Sequence, residues 1–171
     1  MNGRLRLLIA PVAMLMCLAG TAAQAEGARE IARHGAWTVL VADTDGQKTC
    51  FAANKPKQTV PATAKRDQAF VYVSAWPKDG VKAEVSVTRG AKFKRGSSVM
   101  LIVGDGRFPL FTTQDRAFVA NPTAVLKLID AMKKGSSMVV ESIDESGSLV
   151  ADVYSLTGLT QTMTAITQGC G

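Results

Sequence analysis

Segments in which apolar and polar residues alternate follow one another along most of the chain. The clearest lies at 81–88, where every second residue is apolar, beginning with Val81. Successive side chains of a β-strand point to opposite faces of its sheet, so this pattern predicts a strand with one buried and one solvated face. Residues 99–103 are apolar throughout, which predicts a central strand covered on both faces. The segments 54–68 and 89–96 are polar and basic and are predicted to be loops.

Short turn sequences that end in glycine separate these strand-like segments. Asp-Gly pairs supply the positive φ that tight hairpin turns demand, so each such pair between two alternating segments predicts a hairpin. The turns are Asp45-Gly46, Asp79-Gly80, Asp105-Gly106 and, with serine in place of aspartate, Ser146-Gly147. The flanking strands are predicted at 37–42, 48–53, 69–76, 81–88, 98–103, 107–112, 137–143 and 148–156. A short extra strand is predicted at 116–120.

Two helices are predicted in the second half of the chain. Asn121 is a favourable N-cap, Pro122 suits the first helical position, and Gly135 suits the end of the helix. The apolar face of this helix is formed by Val125, Leu128, Ile129 and Met132. A second, shorter helix before Gly169 has the apolar stripe Leu159, Met163 and Ile166. The second helix is rich in threonine, so it must be held by tertiary packing.

Hairpins in series with helices after them predict a mainly β fold. We expect an antiparallel β-sandwich or partly open barrel built from about four hairpins, with two short covering α-helices. No internal repeat or domain boundary interrupts residues 36–171, which are predicted to form a single domain. Residues 26–35 are predicted to be a mobile N-terminal lead.

Residues 1–25 have the organisation of a cleavable signal peptide. Arg4 and Arg6 precede an apolar run that ends at Ala19, and Ala23-Gln24-Ala25 fits the small-x-small cleavage rule. The run is too short to cross roughly 30 Å of hydrocarbon comfortably as a helix, and no second apolar segment reaches that length. The chain is therefore predicted to be exported, to the periplasm first and to the outer surface or medium as alternatives, with no transmembrane segment in the mature protein.

The charge of the chain is modest once the signal peptide is set aside. Cleavage would remove Arg4 and Arg6 and lower the formal net charge from +6 to +4. A mildly basic exported protein is not expected to bind nucleic acid, whereas weak attraction to anionic envelope surfaces fits this charge.

Two cysteines, Cys50 and Cys170, remain after cleavage. An even pair in an oxidising compartment indicates a disulfide, here between an early strand and the C-terminus. Such a long loop is worth roughly 4–5 kcal/mol in the chain-entropy model. Two unbridged thiols and pairing between two chains are the alternatives.

The sequence contains no recognisable catalytic or metal-binding constellation. The single histidine, His34, lies in the predicted mobile lead, where no preorganised site can form around it. Asp43 and Asp45 resemble a fragment of a calcium loop, but the later ligands are missing. The remaining carboxyl groups are expected on solvated loops. We therefore predict no catalytic residues, no metal and no cofactor.

The most suggestive surface feature is a basic cluster formed by Arg89, Lys92, Lys94 and Arg95, with Phe93 in its middle. Guanidinium and ammonium groups bind phosphates and carboxylates through charge-assisted hydrogen bonds, so the cluster is a candidate site for an anion or an anionic partner. The alternative is an ordinary solvated loop with Phe93 turned inward.

Several segments, taken in their order and spacing, resemble the invasion-associated locus B family of exported bacterial proteins. The resemblance covers nearly the whole chain from Trp37 to Cys170. It is carried by Trp37-Thr38-Val39, Cys50-Phe51-Ala52-Ala53, Lys55-Pro56-Lys57, Phe93-Lys94-Arg95-Gly96-Ser97, Asp115-Arg116-Ala117-Phe118-Val119, Ala131-Met132-Lys133-Lys134-Gly135 and Tyr154-Ser155-Leu156-Thr157-Gly158-Leu159. The chain departs from relatives at Val39-Leu40-Val41, where they often carry a further cysteine, and at Glu145-Ser146-Gly147, where they often carry a basic stretch.

The resemblance implies a periplasmic or surface β-sandwich domain without established enzymatic activity or agreed catalytic residues. The first hypothesis is thus a non-enzymatic envelope protein that binds an envelope or host-surface component, with a role in host-cell interaction. A second hypothesis is a periplasmic hydrolase or glycan-processing enzyme that uses a pair of carboxyl groups. A third is a thiol redox or metal-handling protein, which would require Cys50 and Cys170 to be reactive thiols.

Overall fold

The computed structural model describes residues 27–44, 46–64, 66–76 and 80–170. Within these ranges the chain forms strands and two helices. In order they are β1 (Arg29–His34), β2 (Trp37–Thr44), β3 (Gln47–Asn54), β4 (Gln58–Val60), β5 (Phe70–Trp76), β6 (Val81–Thr88), β7 (Val99–Val103), β8 (Gly106–Thr113), β9 (Arg116–Val119), α1 (Pro122–Lys134), β10 (Ser137–Ile143), β11 (Leu149–Ser155) and α2 (Leu159–Cys170).

All the described strands belong to one antiparallel sheet in the order β1-β2-β3-β5-β6-β9-β8-β7-β10-β11-β4. Strand β4 follows β3 closely along the chain but pairs with β11, at the opposite end of that order. The sheet therefore curls until its two ends approach each other. The Asn54 side-chain amide donates to the Ser155 carbonyl at 2.8 Å, and the Lys57 N–H donates to the Val153 carbonyl at 2.8 Å. The strands do not close into a complete barrel, which confirms the predicted sandwich or partly open barrel.

The core lies between the concave face of this curled sheet and the two helices. Helix α2 packs against β1, β2, β3 and β5, and α1 packs against β6, β8 and β9. The largest fully buried side chains include Trp37, Leu101, Leu110, Leu128 and Tyr154. Each large apolar side chain removed from water contributes about 1.5–3 kcal/mol, so this contact between helices and sheet is the main source of stability.

The predicted hairpins and helices are present. Hairpins join β2 to β3, β5 to β6, β7 to β8 and β10 to β11, and β9 is the predicted extra strand. The turn of the third hairpin is Gly104-Asp105 and not the predicted Asp105-Gly106, because Gly104 has the positive φ and Gly106 already pairs with Val103 as the first residue of β8. Asn121 caps α1, because its side-chain oxygen accepts a hydrogen bond from the Ala124 N–H at 2.9 Å. The four apolar residues predicted to face the core from α1 are all buried.

Three sequence-based expectations differ from the structure. Residues 29–34 are not a mobile lead but strand β1, which pairs with β2 from Arg29 opposite Val41 to His34 opposite Trp37. This pairing places Ile31 against the core, and burial of that side chain favours order. The predicted loop 54–68 contains the short strand β4.

The third difference concerns β7, which was predicted to be covered on both faces. Val99, Leu101 and Val103 are buried, whereas Met100 and Ile102 are only half-buried. The strand lies within the sheet, but only one of its faces is buried in the core.

The proposed signal peptide, 1–25, lies outside the described residues. Among the helices that are described, none is both long and apolar enough to cross a membrane.

Candidate functional site

The basic loop predicted as a candidate site is anchored to two neighbouring strands. The Phe93 N–H donates to the Gln114 carbonyl, and the Lys94 N–H donates to the Ile143 carbonyl, each at 3.0 Å. The Phe93 ring is buried, with 6% of its surface exposed, so it fixes the loop to the core. Phe93 is therefore turned inward, as the alternative interpretation of the basic cluster predicted. The loop is consequently an ordered ridge between the β8–β9 turn and the end of β10.

Three cationic side chains project from this ridge into one cleft of about 580 Å³. We call it the basic cleft; Lys92, Lys94 and Arg95 line it together with Phe93, Gly96, Thr112, Gln114 and Glu145. All three cations are exposed, and none forms an ion pair within the described part of the chain. The geometry therefore brings together three of the four predicted basic residues.

The fourth, Arg89, lies beneath the loop and is only 3% exposed. Its Nη1 donates to the Lys92 carbonyl at 2.8 Å, which supports the ridge from inside. Burial lowers the pKa of the Arg89 guanidinium, and the nearby Arg66 charge lowers it further, while Asp144, Asp152 and Glu145 act in the opposite direction. Arg89 is thus placed as a support for the loop and does not share the exposed surface of the other three.

Beneath the loops lies a buried ionic network that the sequence did not indicate. Arg66 Nη2 donates to Asp152 Oδ1 on β11, and Arg66 Nη1 donates to the Arg89 carbonyl at 2.9 Å. The Thr59 hydroxyl donates to the same Asp152 oxygen at 2.7 Å. Burial, followed by the Asp152 charge, raises the pKa of the neighbouring Tyr154 phenol well above its usual range. These residues connect β4, the loop after it and β11, and their polar groups are turned away from solvent.

The convex face of the sheet carries a cluster of aromatic side chains. Along β5, Val71, Val73 and Ala75 are buried toward the helices, so the residues between them lie on the other face. The aromatic cluster consists of Phe51, Phe70, Tyr72, Trp76, Phe111 and Phe118, all half-buried except Phe111, which is 50% exposed. The aromatic alternation Phe70-x-Tyr72 was the available signal for a shared face.

The rings on this face contact one another and two cations. Tyr72 lies in the middle, with centroid distances of 5.5 Å to Phe70 and 6.2 Å to Phe51. The Arg116 guanidinium carbon lies 6.0 Å from the Tyr72 centroid, and the Lys55 ammonium lies 5.6 Å from the Phe70 centroid. Cations over aromatic faces are attracted by the ring quadrupole, so the face combines apolar area with positive charge.

A second cleft, of about 310 Å³, opens on this face between β3, β5, β6 and β9. We call it the aromatic pocket; it is lined by Thr49, Phe51, Tyr72, Ser74, Trp76, Glu84, Ser86 and Arg116. Burial raises the pKa of the Glu84 carboxyl, and the Arg116 charge offsets part of that effect. Within the described residues, neither charged side chain forms an ion pair or a side-chain hydrogen bond, although both line the same pocket.

The residues considered for catalysis or metal binding are dispersed. His34 lies on the edge strand β1, away from both clefts. In the described ranges, no group of three or more His, Cys, Asp or Glu side chains is arranged to hold a metal ion.

Cys50 is fully buried on β3 and faces the C-terminal end of α2. Its sulfur lies 3.4 Å from the position that a Cβ on Gly169 would occupy. Residue 169 immediately precedes Cys170, whose side chain lies outside the described residues.

Comparisons with known proteins agree with this architecture. The crystal structure of invasion associated protein b from Bartonella henselae is similar, with a TM-score of 0.56 and 13% sequence identity, over 80% of this chain and 94% of that chain. At this identity the likeness concerns the fold alone. No curated protein matches the sequence. The family profile described as "Invasion associated locus B (IalB) protein" matches residues 37–167. The chain therefore belongs to the invasion-associated locus B family.

Proposed function

We propose that this protein is an exported, non-enzymatic envelope protein that binds phosphate or carboxylate groups of an envelope or host-surface component through the basic cleft. The observation that carries the proposal is the convergence of Lys92, Lys94 and Arg95 on one ordered cleft without ion-pair partners in the described chain. Family membership supports an invasion-associated envelope role, and the predicted signal peptide supports export.

The physical argument rests on the order of the loop that carries the charges. Because Phe93 and its backbone hydrogen bonds hold the ridge in place, little backbone entropy is lost when a ligand binds. Lys and Arg bind phosphate and carboxylate through short, charge-assisted hydrogen bonds. Glu145 is the single carboxyl group that lines the same cleft, and its charge repels anions. The anionic group of a ligand is therefore expected to bind on the side of the cleft that carries the three cations.

A hydrolase that works with two carboxyl groups is the less favoured alternative. Both mechanisms of glycoside hydrolysis need an acid and a second carboxylate, about 5–10 Å apart, on either side of the scissile bond. The aromatic pocket is lined by one carboxyl group, Glu84, and the basic cleft by one, Glu145. His34 does not line either of them. These features support a binding role.

Export also leads us to propose an internal Cys50–Cys170 disulfide. The direction of the Cys50 side chain toward Gly169 supports this pairing. The bridge would tie the end of α2 to the sheet and keep the domain closed in an oxidising compartment, most naturally the periplasm.

The proposal is tested by crosslinking the tagged protein in intact cells, capturing it and identifying what is attached. The test variant is Lys92→Gln/Lys94→Gln/Arg95→Gln. The control, Lys127→Gln/Lys133→Gln/Lys134→Gln, removes three exposed charges from α1 instead. We expect an envelope or host-surface component to be captured by the unmodified protein and by the control, and to be lost from the test variant. Capture of nothing, or equal capture by both variants, would contradict the role of the basic cleft.

A further inference from the structure

The aromatic pocket contains two opposite charges that line it without pairing. Glu84 is half-buried, so its carboxylate loses part of its hydration and would be stabilised by pairing with a nearby cation, whereas Arg116 is exposed. Here the Glu84 carboxyl and the Arg116 guanidinium both line the pocket, yet no ion pair joins them. Arg116 instead lies over the Tyr72 ring. The pocket therefore offers a hydrogen-bond acceptor and a set of donors beside an aromatic surface.

The charges limit what this pocket can accept. An anionic ligand would be repelled by Glu84, and a quaternary ammonium group would meet the Arg116 charge already placed over Tyr72. A purely apolar ligand would cover the half-buried Glu84 carboxylate without replacing its hydrogen bonds to water, which is costly. A neutral ligand with many hydroxyl groups and one apolar face meets none of these penalties.

The volume of the aromatic pocket also limits the size of the ligand. Its volume of about 310 Å³ lies at the lower end of the range of about 300–1,000 Å³ that is common for small-molecule sites. This space suits a single ring better than an extended peptide. A pyranose ring has hydroxyl groups that both donate and accept, and a C–H face that packs on aromatic rings.

We propose that the aromatic pocket binds one neutral sugar ring of a glycan. Glu84 accepts hydrogen bonds from ring hydroxyls, Arg116 donates to hydroxyl or ring oxygens, and the aromatic side chains of Phe51 and Trp76 cover the C–H face. Ser74 and Thr49 supply further hydroxyls to the lining. The site involves no residue of the basic cleft, so either site can function if the other does not.

The test is a titration of the folded protein with a panel of neutral sugars and short neutral oligosaccharides made of glucose, galactose, mannose and N-acetylglucosamine. Binding is followed by tryptophan fluorescence and by NMR shifts of backbone amides. We expect at least one neutral sugar to bind and to shift the amides of Tyr72, Ser74 and Trp76. Choline, glucuronate and a proline-rich peptide serve as the cationic, anionic and peptide comparators.

Substitutions then test which residues contact the sugar. A hydrogen bond to a charged group contributes about 1.5–3 kcal/mol, so Glu84→Gln and Arg116→Gln should each weaken sugar binding by about ten-fold or more. Phe111→Ser alters an exposed ring outside the pocket lining and should leave the affinity unchanged. The basic-cleft variant Lys92→Gln/Lys94→Gln/Arg95→Gln should also bind the sugar normally, which separates this proposal from the preceding one.

Three results would overturn the proposal. The first is that no neutral sugar of the panel binds, and the second is that a comparator binds in its place. The third is sugar binding that persists in both pocket variants. Because the amide shifts are measured on the unmodified protein, the outcome does not depend on whether every variant folds.

Discussion

Arg66 and Asp152 form an ion pair whose side chains are almost completely buried, with exposed fractions of 6% and 2%. Asp152 occupies an inward-facing position of β11, and Arg66 reaches it from the loop that follows β4. The pair thereby fastens that loop, and with it the last strand of the sheet, to the interior. Removing two charges from water is costly, so each of these buried charges is tolerated only while the other charge and its hydrogen bonds compensate for the lost hydration.

Removing only the arginine should be strongly destabilising. We expect Arg66→Met to cost about 3–5 kcal/mol, because it leaves the Asp152 carboxylate buried without its cation. The double variant Arg66→Met/Asp152→Leu should lose much less than the sum of the two single changes. Chemical unfolding of the four proteins in a double-mutant cycle measures the coupling. Additive effects would show that the pair does not act as a unit.

The turn after β1 is held in place by close backbone contact with the segment between β11 and α2. Gly158 has a positive φ of 92°, and a Cβ at this position would collide with the His34 carbonyl. Gly46 also has a positive φ, 75°, but a Cβ there would meet nothing within 4 Å. We expect Gly46→Ala to cost about 1–2 kcal/mol from the backbone alone and Gly158→Ala to cost distinctly more. Thermal unfolding of both variants compares their losses of stability. Equal losses would mean that the close contact between Gly158 and the turn after β1 does not contribute to stability.

The proposed Cys50–Cys170 bridge predicts how the protein responds to reductant. Without reductant, neither cysteine should react with an alkylating agent in the unfolded protein, and the intact mass should increase by about 2 Da on reduction, since two hydrogens are added to each disulfide. Cys170→Ser should lower the free energy of unfolding by roughly 4–5 kcal/mol, as expected for a long closed loop. Reduction of the unmodified protein should produce a similar loss. Alkylation of both cysteines without reductant would refute the bridge.

Glu84 should make stability depend on pH in the direction opposite to that of a salt-bridged carboxylate. Burial raises its pKa in the folded protein above the usual 4.5, so its neutral form is favoured by folding. This contribution is fully present below pH 4.5 and is lost as the pH rises through the folded-state pKa. We therefore expect Glu84→Gln, which remains neutral, to be slightly more stable than the unmodified protein near neutral pH.

The difference in unfolding free energy between Glu84→Gln and the unmodified protein should disappear in acid, below the usual carboxyl pKa of 4.5. Urea unfolding at several pH values measures it. Glu141→Gln serves as the control, because it removes a carboxylate that lies 3.7 Å from the Arg107 guanidinium and should give no gain at neutral pH. A gain at neutral pH that persists unchanged in acid would exclude the desolvation of Glu84 as its cause.

Local features of the fold were predictable from the sequence because the signals lie between residues a few positions apart. Gly46 marks a hairpin turn through its own φ, and Asn121 caps α1 through an amide three residues away. Alternation likewise assigns each strand a buried face without reference to its neighbours. The same kind of signal, in Phe70 and Tyr72, placed two aromatic rings on one face.

Contacts between distant segments were decided only by the tertiary structure. Arg66 and Asp152 are separated by 86 positions, and their pairing depends on β4 crossing to β11. Glu84 and Arg116 share a pocket because β6 and β9 are neighbours in the sheet. Residues 29–34 appeared mobile because their polar sequence has little local preference, and pairing with β2 supplies their order. The sequence by itself thus determined the two helices, the strands of the four hairpins, β9 and the family resemblance. The order of the strands, which no short-range interaction encodes, determined the buried ion pair and the two clefts.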